Sequence, residues 1–278
     1  MNRKIGTRKT IYLLQAIGIS VLMVALLLFS GLQILGATGL AVILGFVTFI
    51  WFVIANRASP TELQDVREVT GVTADELHRI VAELSEIAGI ERTPDVYVLH
   101  APMMTAASFH DDDGPHLIVT PQMLSRLSDR QLRAVLAHEI SHIEQKDFVF
   151  FRFIQGVRLV TVTVSRVGWF MLLLYFPVLA FGGVTIPIAA LIVLLAAPLG
   201  SVLLQFAVMR SREMSADLGA VEITGDPEGL AQALEKIDRS QRSLWSQVFP
   251  MPRRNQPDVL RTHPSVPKRV EQLRSLQQ

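Results

Sequence analysis

Apolar and polar positions divide this chain into two kinds of segment. From Thr10 to Asn56, and again from Val167 to Met209, there is no Asp, Glu, Lys or Arg. A helix needs about 20 apolar residues to cross a bilayer, so each run has room for two crossings and a tight turn. Gly31 to Gln33 and Phe181 to Pro187 are the natural turn points. The pattern predicts four transmembrane helices in two hairpins, near 11–30, 34–55, 167–182 and 187–209. Elsewhere the periods are shorter. Thr73-Ala-Asp-Glu76 is a capping-box pattern. It opens a helix with Leu77, Ile80, Val81, Leu84 and Ile87 on one face and Gly89 at its end. Val96 to Leu99 and Leu117 to Thr120 read as short strands, separated by a polar loop with Asp111, Asp112, Asp113 and Gly114. Ser128 and Gln131 open a second capped helix, expected to run past Asp147. Its apolar side is Leu132, Val135, Leu136, Ile140 and Ile143. Pro227 suits the first turn of a helix reaching about Arg239. Residues 240–262 read as a loop, and a last helix covers Pro267 to Leu276.

The expected fold is mainly α: a membrane protein with four transmembrane helices plus an α+β domain containing a small β-sheet. Residues 1–56 form the first hairpin, 57–166 the first part of the soluble domain, 167–209 the second hairpin and 210–278 the second part. Lys and Arg orient it. Arg3, Lys4, Arg8, Lys9 and Arg57 flank the first hairpin, Arg152, Arg158, Arg166, Arg210 and Arg212 flank the second, and the hairpin tips have none. Both termini and the soluble segments are therefore expected on the cytoplasmic side, with the flanking arginines meeting lipid phosphates. A basic start before an apolar stretch also suits a signal peptide, but a second apolar stretch follows without a small-x-small cleavage pattern.

Charge and cysteine usage narrow the chemistry. The net charge is +1, which gives no general affinity for nucleic acid. There is no cysteine, so disulfides and thiolate metal sites are excluded, and any metal must be held by His, Asp or Glu. His138-Glu139-Ile-Ser-His142 supplies such ligands. On a helix, residues four apart share one face, so His138 and His142 can hold one zinc ion. Glu139, about 100° round the helix, can act on water there as general base. Catalytic zinc usually takes three protein ligands. Gln145 and Phe148 stand where a further downstream histidine motif would lie, so the third ligand is sought elsewhere. Glu213 in Ser211-Arg-Glu-Met-Ser-Ala-Asp217 is the candidate. Asp217, four residues on, can accept the other N–H of a ligating histidine. His78, His100, His110 and His116 lack metal spacing and are expected at the surface or in loops.

Ala137-His-Glu-Ile-Ser-His-Ile143 with Asp147, then Ser211 to Asp217, then Thr262-His-Pro264, resembles the HtpX-type membrane metalloproteases. Their relatives are the CAAX prenyl proteases, and both are gluzincins. The resemblance covers nearly the whole chain. It implies one zinc ion per chain, held by His138, His142 and Glu213, with Glu139 as base. It also implies His263 as an oxyanion stabiliser, and Arg269 matches the same C-terminal motif. The implied activity is cleavage of misfolded or damaged membrane proteins from the cytoplasmic side of a bacterial inner membrane, with stress-linked expression. Polypeptides and the lipid bilayer are the expected partners. The family often has Asn-Ala-Phe before the strand that receives substrate, whereas this chain has Ala107-Ser108-Phe109. An extended substrate is expected to pair with an exposed strand edge at Leu117, Ile118, Val119 and Thr120. The alternatives are a membrane scaffold with an inactive site, a site-two-type intramembrane protease, and a prenyl-protein protease. Charges at Arg130, Arg133, Glu144, Lys146 and Asp147 oppose the second of these.

Overall fold

The computed structural model describes residues 2–55, 66–68, 72–111, 113–174, 176–181, 188–248 and 264–277. In chain order the elements are α1 (Asn2–Ala55), β1 (Val66–Glu68), α2 (Val72–Ile87), β2 (Asp95–Leu99), β3 (Ala106–Asp111), β4 (Gly114–Val119), α3 (Pro121–Arg126), α4 (Asp129–Glu144), α5 (Asp147–Leu174), α6 (Phe176–Phe181), α7 (Ile188–Thr224), α8 (Pro227–Val248) and α9 (Val266–Arg274). They form two compact units. One comprises Met1–Leu13, Ala58–Phe148 and Arg210–Gln278, the other Leu14–Arg57 and Val149–Met209.

The second unit is helical and apolar. Ala16, Met23, Ile154, Val157, Val160 and Val208 form its buried cluster. Two helical segments among the described residues are long and apolar enough to cross a membrane, Lys4–Ala25 and Asp147–Phe170. Four were expected, with different bounds. No turn occurs at Gly31 to Gln33, because α1 runs unbroken from Asn2 to Ala55. A glycine costs a helix only about 1 kcal/mol, and no proline interrupts this stretch. α5 passes through Arg166, the expected end of the first soluble segment, without a break. Of the second expected turn, residues 182–187 lie outside the described residues.

In the first unit, four strands form a mixed sheet in the order β1-β2-β4-β3. β2 and β4 are parallel, while β1 pairs with β2 and β3 pairs with β4 antiparallel. The segment read as an acidic loop is therefore largely strand and hairpin. Ala106–Asp111 pairs residue by residue with β4, from Ala106 opposite Val119 to Asp111 opposite Gly114. The turn is made by Asp111, whose Oδ1 accepts the backbone N–H of Asp113 and Gly114 at 2.9 and 3.2 Å. Gly114 has φ +129°, a conformation open to glycine and costly for other residues.

This topology corrects the expected substrate strand. Leu117, Ile118, Val119 and Thr120 do not offer an edge, since β4 lies between β2 and β3 and all four residues are buried. A strand buried on both faces reads as a continuous apolar run, and Leu117-Ile-Val119 is one. Among the described residues β3 is the terminal strand on that side.

The core of this unit joins α2, the sheet, α4, α7, α8 and α9 through Leu84, Leu117, Leu136, Ile140, Leu218, Leu230 and Leu273. Fully burying such a side chain is worth roughly 1.5–3 kcal/mol. α4 packs against β3, α8 and α2. Its start is as expected: Ser128 Oγ accepts from Gln131 N, and Gln131 Oε1 accepts from Ser128 N. α2 ends at Gly89, φ +70°, with Ile90 N–H bonded to Ser85 O. Ile87, expected on the apolar face of α2, is exposed, because the helix ends there. α8 extends beyond the expected end at Arg239, to Val248.

Candidate metal centre

α4 places His138 and His142 one turn apart on one face. Their Nε2 atoms are 3.2 Å apart. Glu213 arrives from α7, with Oε2 at 3.6 Å from His138 Nε2 and Oε1 at 3.6 Å from His142 Nε2. Among the described residues these three form the group with ligand atoms close enough to share one ion. Atoms bonded at about 2.1 Å to a tetrahedral ion sit about 3.4 Å from one another. The 3.2 Å between the imidazole nitrogens is close to that value, and each Glu213 oxygen stands 3.6 Å from one of them, so the nitrogen and oxygen donor set suits zinc. α7 can approach α4 this closely because residue 219 is glycine. A Cβ there would stand 1.9 Å from Ser141 Oγ.

Each histidine is backed by a buried carboxylate and an arginine. His142 Nδ1 lies 2.6 Å from Asp147 Oδ2. Arg212 Nε donates to Asp147 Oδ1, and Arg212 Nη2 donates to Gln145 Oε1 at 2.8 Å. His138 Nδ1 lies 3.1 Å from Asp217 Oδ1. Arg269 donates to both Asp217 oxygens, at 2.6 and 2.7 Å. A carboxylate at Nδ1 favours the tautomer with its proton there and leaves Nε2 bare to bind a metal. Arg269 also reaches the metal-facing atoms, with Nη1 3.3 Å from Glu213 Oε2.

The electrostatics favour positive charge between these ligands. Burial pushes His142 down, but the hydrogen bonds of Asp147 and Glu213 reverse that and bring it up to about 10. Burial likewise opposes His138, and Asp217 and Glu213 raise it. Burial would lift Asp217, yet the Arg269 charge and hydrogen bonds hold it below the usual carboxylate range.

Glu139 is half-buried, and its Oε2 accepts a hydrogen bond from Ser108 Oγ at 3.1 Å. The structure thus brings together Glu139, His138, His142, Glu213, Asp217 and Arg269. His263 lies outside the described residues.

The sequence profile of peptidase family M48 matches residues 72–277. The chain belongs to peptidase family M48.

M48 peptidases are in general zinc-dependent, and His138, His142 and Glu213 are the group here that could hold such an ion. It is similar to proteins named protease HtpX homolog, which bears out the HtpX-type resemblance. That of Methylibium petroleiphilum is 33% identical over 211 residues, covering 73% of this chain and 70% of the relative. That of Paraburkholderia phytofirmans is 33% identical over 183 residues, or 64% and 61%. That of Burkholderia cenocepacia is 31% identical over 227 residues, or 77% and 75%. A crystal structure of S. mikatae Ste24p shares the fold, with a TM-score of 0.50 at 17% identity over 95% of this chain and 64% of that one. Family membership makes the chain a protease, of a family that is in general metal-dependent.

Several residues of this M48 site carry no assignment from sequence. Asp147 is one, because the pattern of α4 continues through it. Instead α4 ends at Glu144, Lys146 takes φ +53°, and α5 begins at Asp147. Five residues apart on one helix, His142 and Asp147 would point about 140° away from each other. The left-handed residue between them turns the carboxylate back to the ring. Arg212, expected at lipid phosphate, is buried against Asp147. Gln145 accepts from Arg212 and from Ser215 Oγ and donates to Ser141 Oγ. The partner of Arg212, Asp147, lies 65 residues away in sequence, which hides the role of the arginine. Its place in the Ser211–Asp217 motif is the available signal.

His116, expected at the surface or in a loop, is buried on β4, 2.6 Å from Asp111, because a central strand has no exposed face here.

Proposed function

We propose that this chain is a zinc-dependent endopeptidase that cleaves misfolded or damaged membrane proteins at the cytoplasmic face of a bacterial inner membrane. The observation that carries this reading is the convergence of His138, His142 and Glu213 within reach of one ion, with Glu139 on the helix of the two histidines. Zinc held there supplies Lewis acidity, polarising a peptide carbonyl and making water acidic near neutral pH. The Glu139 carboxylate accepts the proton of the attacking water and returns it to the departing amine. Asp147 and Asp217 hold the histidine rings in the ligating orientation. The oxyanion role expected of His263 remains part of the proposal on the strength of its motif.

The terminal strand β3 replaces β4 as the docking strand. It carries Ser108, which touches Glu139, so a peptide paired to its outer edge, unpaired among the described residues, would pass the base. Pairing of this kind reads backbone, which suits substrates defined by loss of structure. Membrane residence is supported by the two apolar helical segments. It is also supported by Leu173, Phe176 and Phe181, which are 75%, 63% and 91% exposed, a display expected to face lipid. Lys and Arg at the outer flanks of the charge-free runs support the cytoplasmic orientation. α4 is amphipathic and lies outside both apolar segments, which disfavours an intramembrane protease.

The test is cleavage of an unfolded model membrane protein by the detergent-purified chain, with and without a zinc chelator, beside Glu139→Gln. The expected result is chelator-sensitive cleavage that falls about 100-fold or more in Glu139→Gln while zinc stays bound. Full activity in that variant, or with zinc removed, would refute the reading.

A further inference from the structure

We infer that Ser108 is a positioning residue for the Glu139 carboxylate, an inference that rests on the base role proposed above. The Ser108 hydroxyl donates to Glu139 Oε2 at 3.1 Å. It reaches the site from β3, which packs on α4. The last torsion of a glutamate side chain is broad and roughly two-fold, so a free carboxylate presents either oxygen over a range of angles. A proton acceptor in catalysis needs one oxygen at one place. The bond to Oε2 selects Oε1 as the oxygen turned to water and narrows its direction. A hydrogen bond to a charged acceptor is the stronger kind, which suits it to that task.

The bond has a second consequence. Ser108 lies on the strand proposed to receive substrate, so the base is tied to the same backbone that would align the scissile peptide. Small movements of β3 then carry base and substrate together, and the distance between them changes little. Proximity of this sort is worth large factors in rate. Ser108 contacts Glu139 and is assigned no contact with the ion, so its loss should affect turnover and leave the metal in place.

Two variants of the full-length, zinc-loaded chain separate the possibilities. Ser108→Ala removes the donor, and Ser108→Thr keeps a hydroxyl on a residue well suited to a strand. Measurements are kcat and KM on an unfolded-protein substrate, zinc content, and Tm. Ser108→Ala should lower kcat about tenfold, with KM, zinc content and Tm close to those of the parent chain. Ser108→Thr should recover most of the lost kcat. The inference is overturned by an unchanged kcat in Ser108→Ala, or by an equal loss in both variants. It is also overturned if the loss is carried by KM or accompanied by loss of zinc. A parent chain without chelator-sensitive cleavage would sink the proposed function and this inference with it. An active parent with an indifferent Ser108→Ala sinks this inference alone.

Discussion

His138 and His142 leave the same face of one helix, yet they are held by different parts of the chain. The support for His142 is local on one side and distant on the other. Asp147 is five residues away, placed by the left-handed turn at Lys146, and Arg212 comes from α7. The support for His138 is distant throughout, with Asp217 from α7 and Arg269 from α9. The partners also differ in redundancy. Arg212 has Gln145 Oε1 as a second acceptor. Arg269 has Glu213, a metal-ligand candidate, as its second acceptor. A buried cation with a neutral alternative partner tolerates loss of its carboxylate better than one whose alternative is needed elsewhere. The His138 side is therefore the more fragile half of the site.

Asp217→Ala should produce the largest effect. Asp217 is fully buried between His138 and Arg269, and removing one partner of a buried pair costs about 3–5 kcal/mol. Thermal unfolding in detergent should show a large fall in Tm, and purified protein should contain little zinc. Asp147→Ala comes next. Arg212 keeps Gln145, so the loss of stability should be about 1–3 kcal/mol. Zinc affinity should drop about 10–100-fold, measured by competition with a chromogenic chelator. Equal Tm losses in the two variants would erase the proposed asymmetry.

The smallest effect tests the outer end of the His138 side. Tyr12 Oη donates to Gln272 Oε1 at 2.5 Å, and Arg8 donates to Ser275 Oγ at 2.9 Å, so the start of α1 grips the helix that carries Arg269. Tyr12→Phe should cost about 1 kcal/mol and reduce zinc affinity slightly. A loss as large as that of Asp217→Ala would mean that the clasp, rather than Asp217, dominates that half.

Much of the site is legible in the amino-acid sequence. The His-Glu-x-x-His spacing, its capping box at Ser128 and the second carboxylate motif at Glu213 are local patterns. Helix periodicity converts such patterns directly into geometry. The long apolar runs are equally plain. Their internal turns are not, since Gly31 to Gln33 permits a turn without compelling one. The strand Ala106–Asp111 escapes notice because its polar residues mimic a loop, and its partner exists only once the hairpin closes. With it go the position of β4 and the contact between Ser108 and Glu139.

By itself the amino-acid order determined which residues are candidate metal ligands, which helix carries two of them, and which stretches are long and free of charge. These follow from chemistry and from spacing along one element. Only the tertiary structure decided that Asp147 turns back to His142, that Arg212 is buried against it, and that β3 rather than β4 ends the sheet. Each depends on where a chain returns after a turn or a long excursion, and the left-handed backbone at Lys146, or the missing Cβ at Gly219, sets that return without leaving a periodic trace.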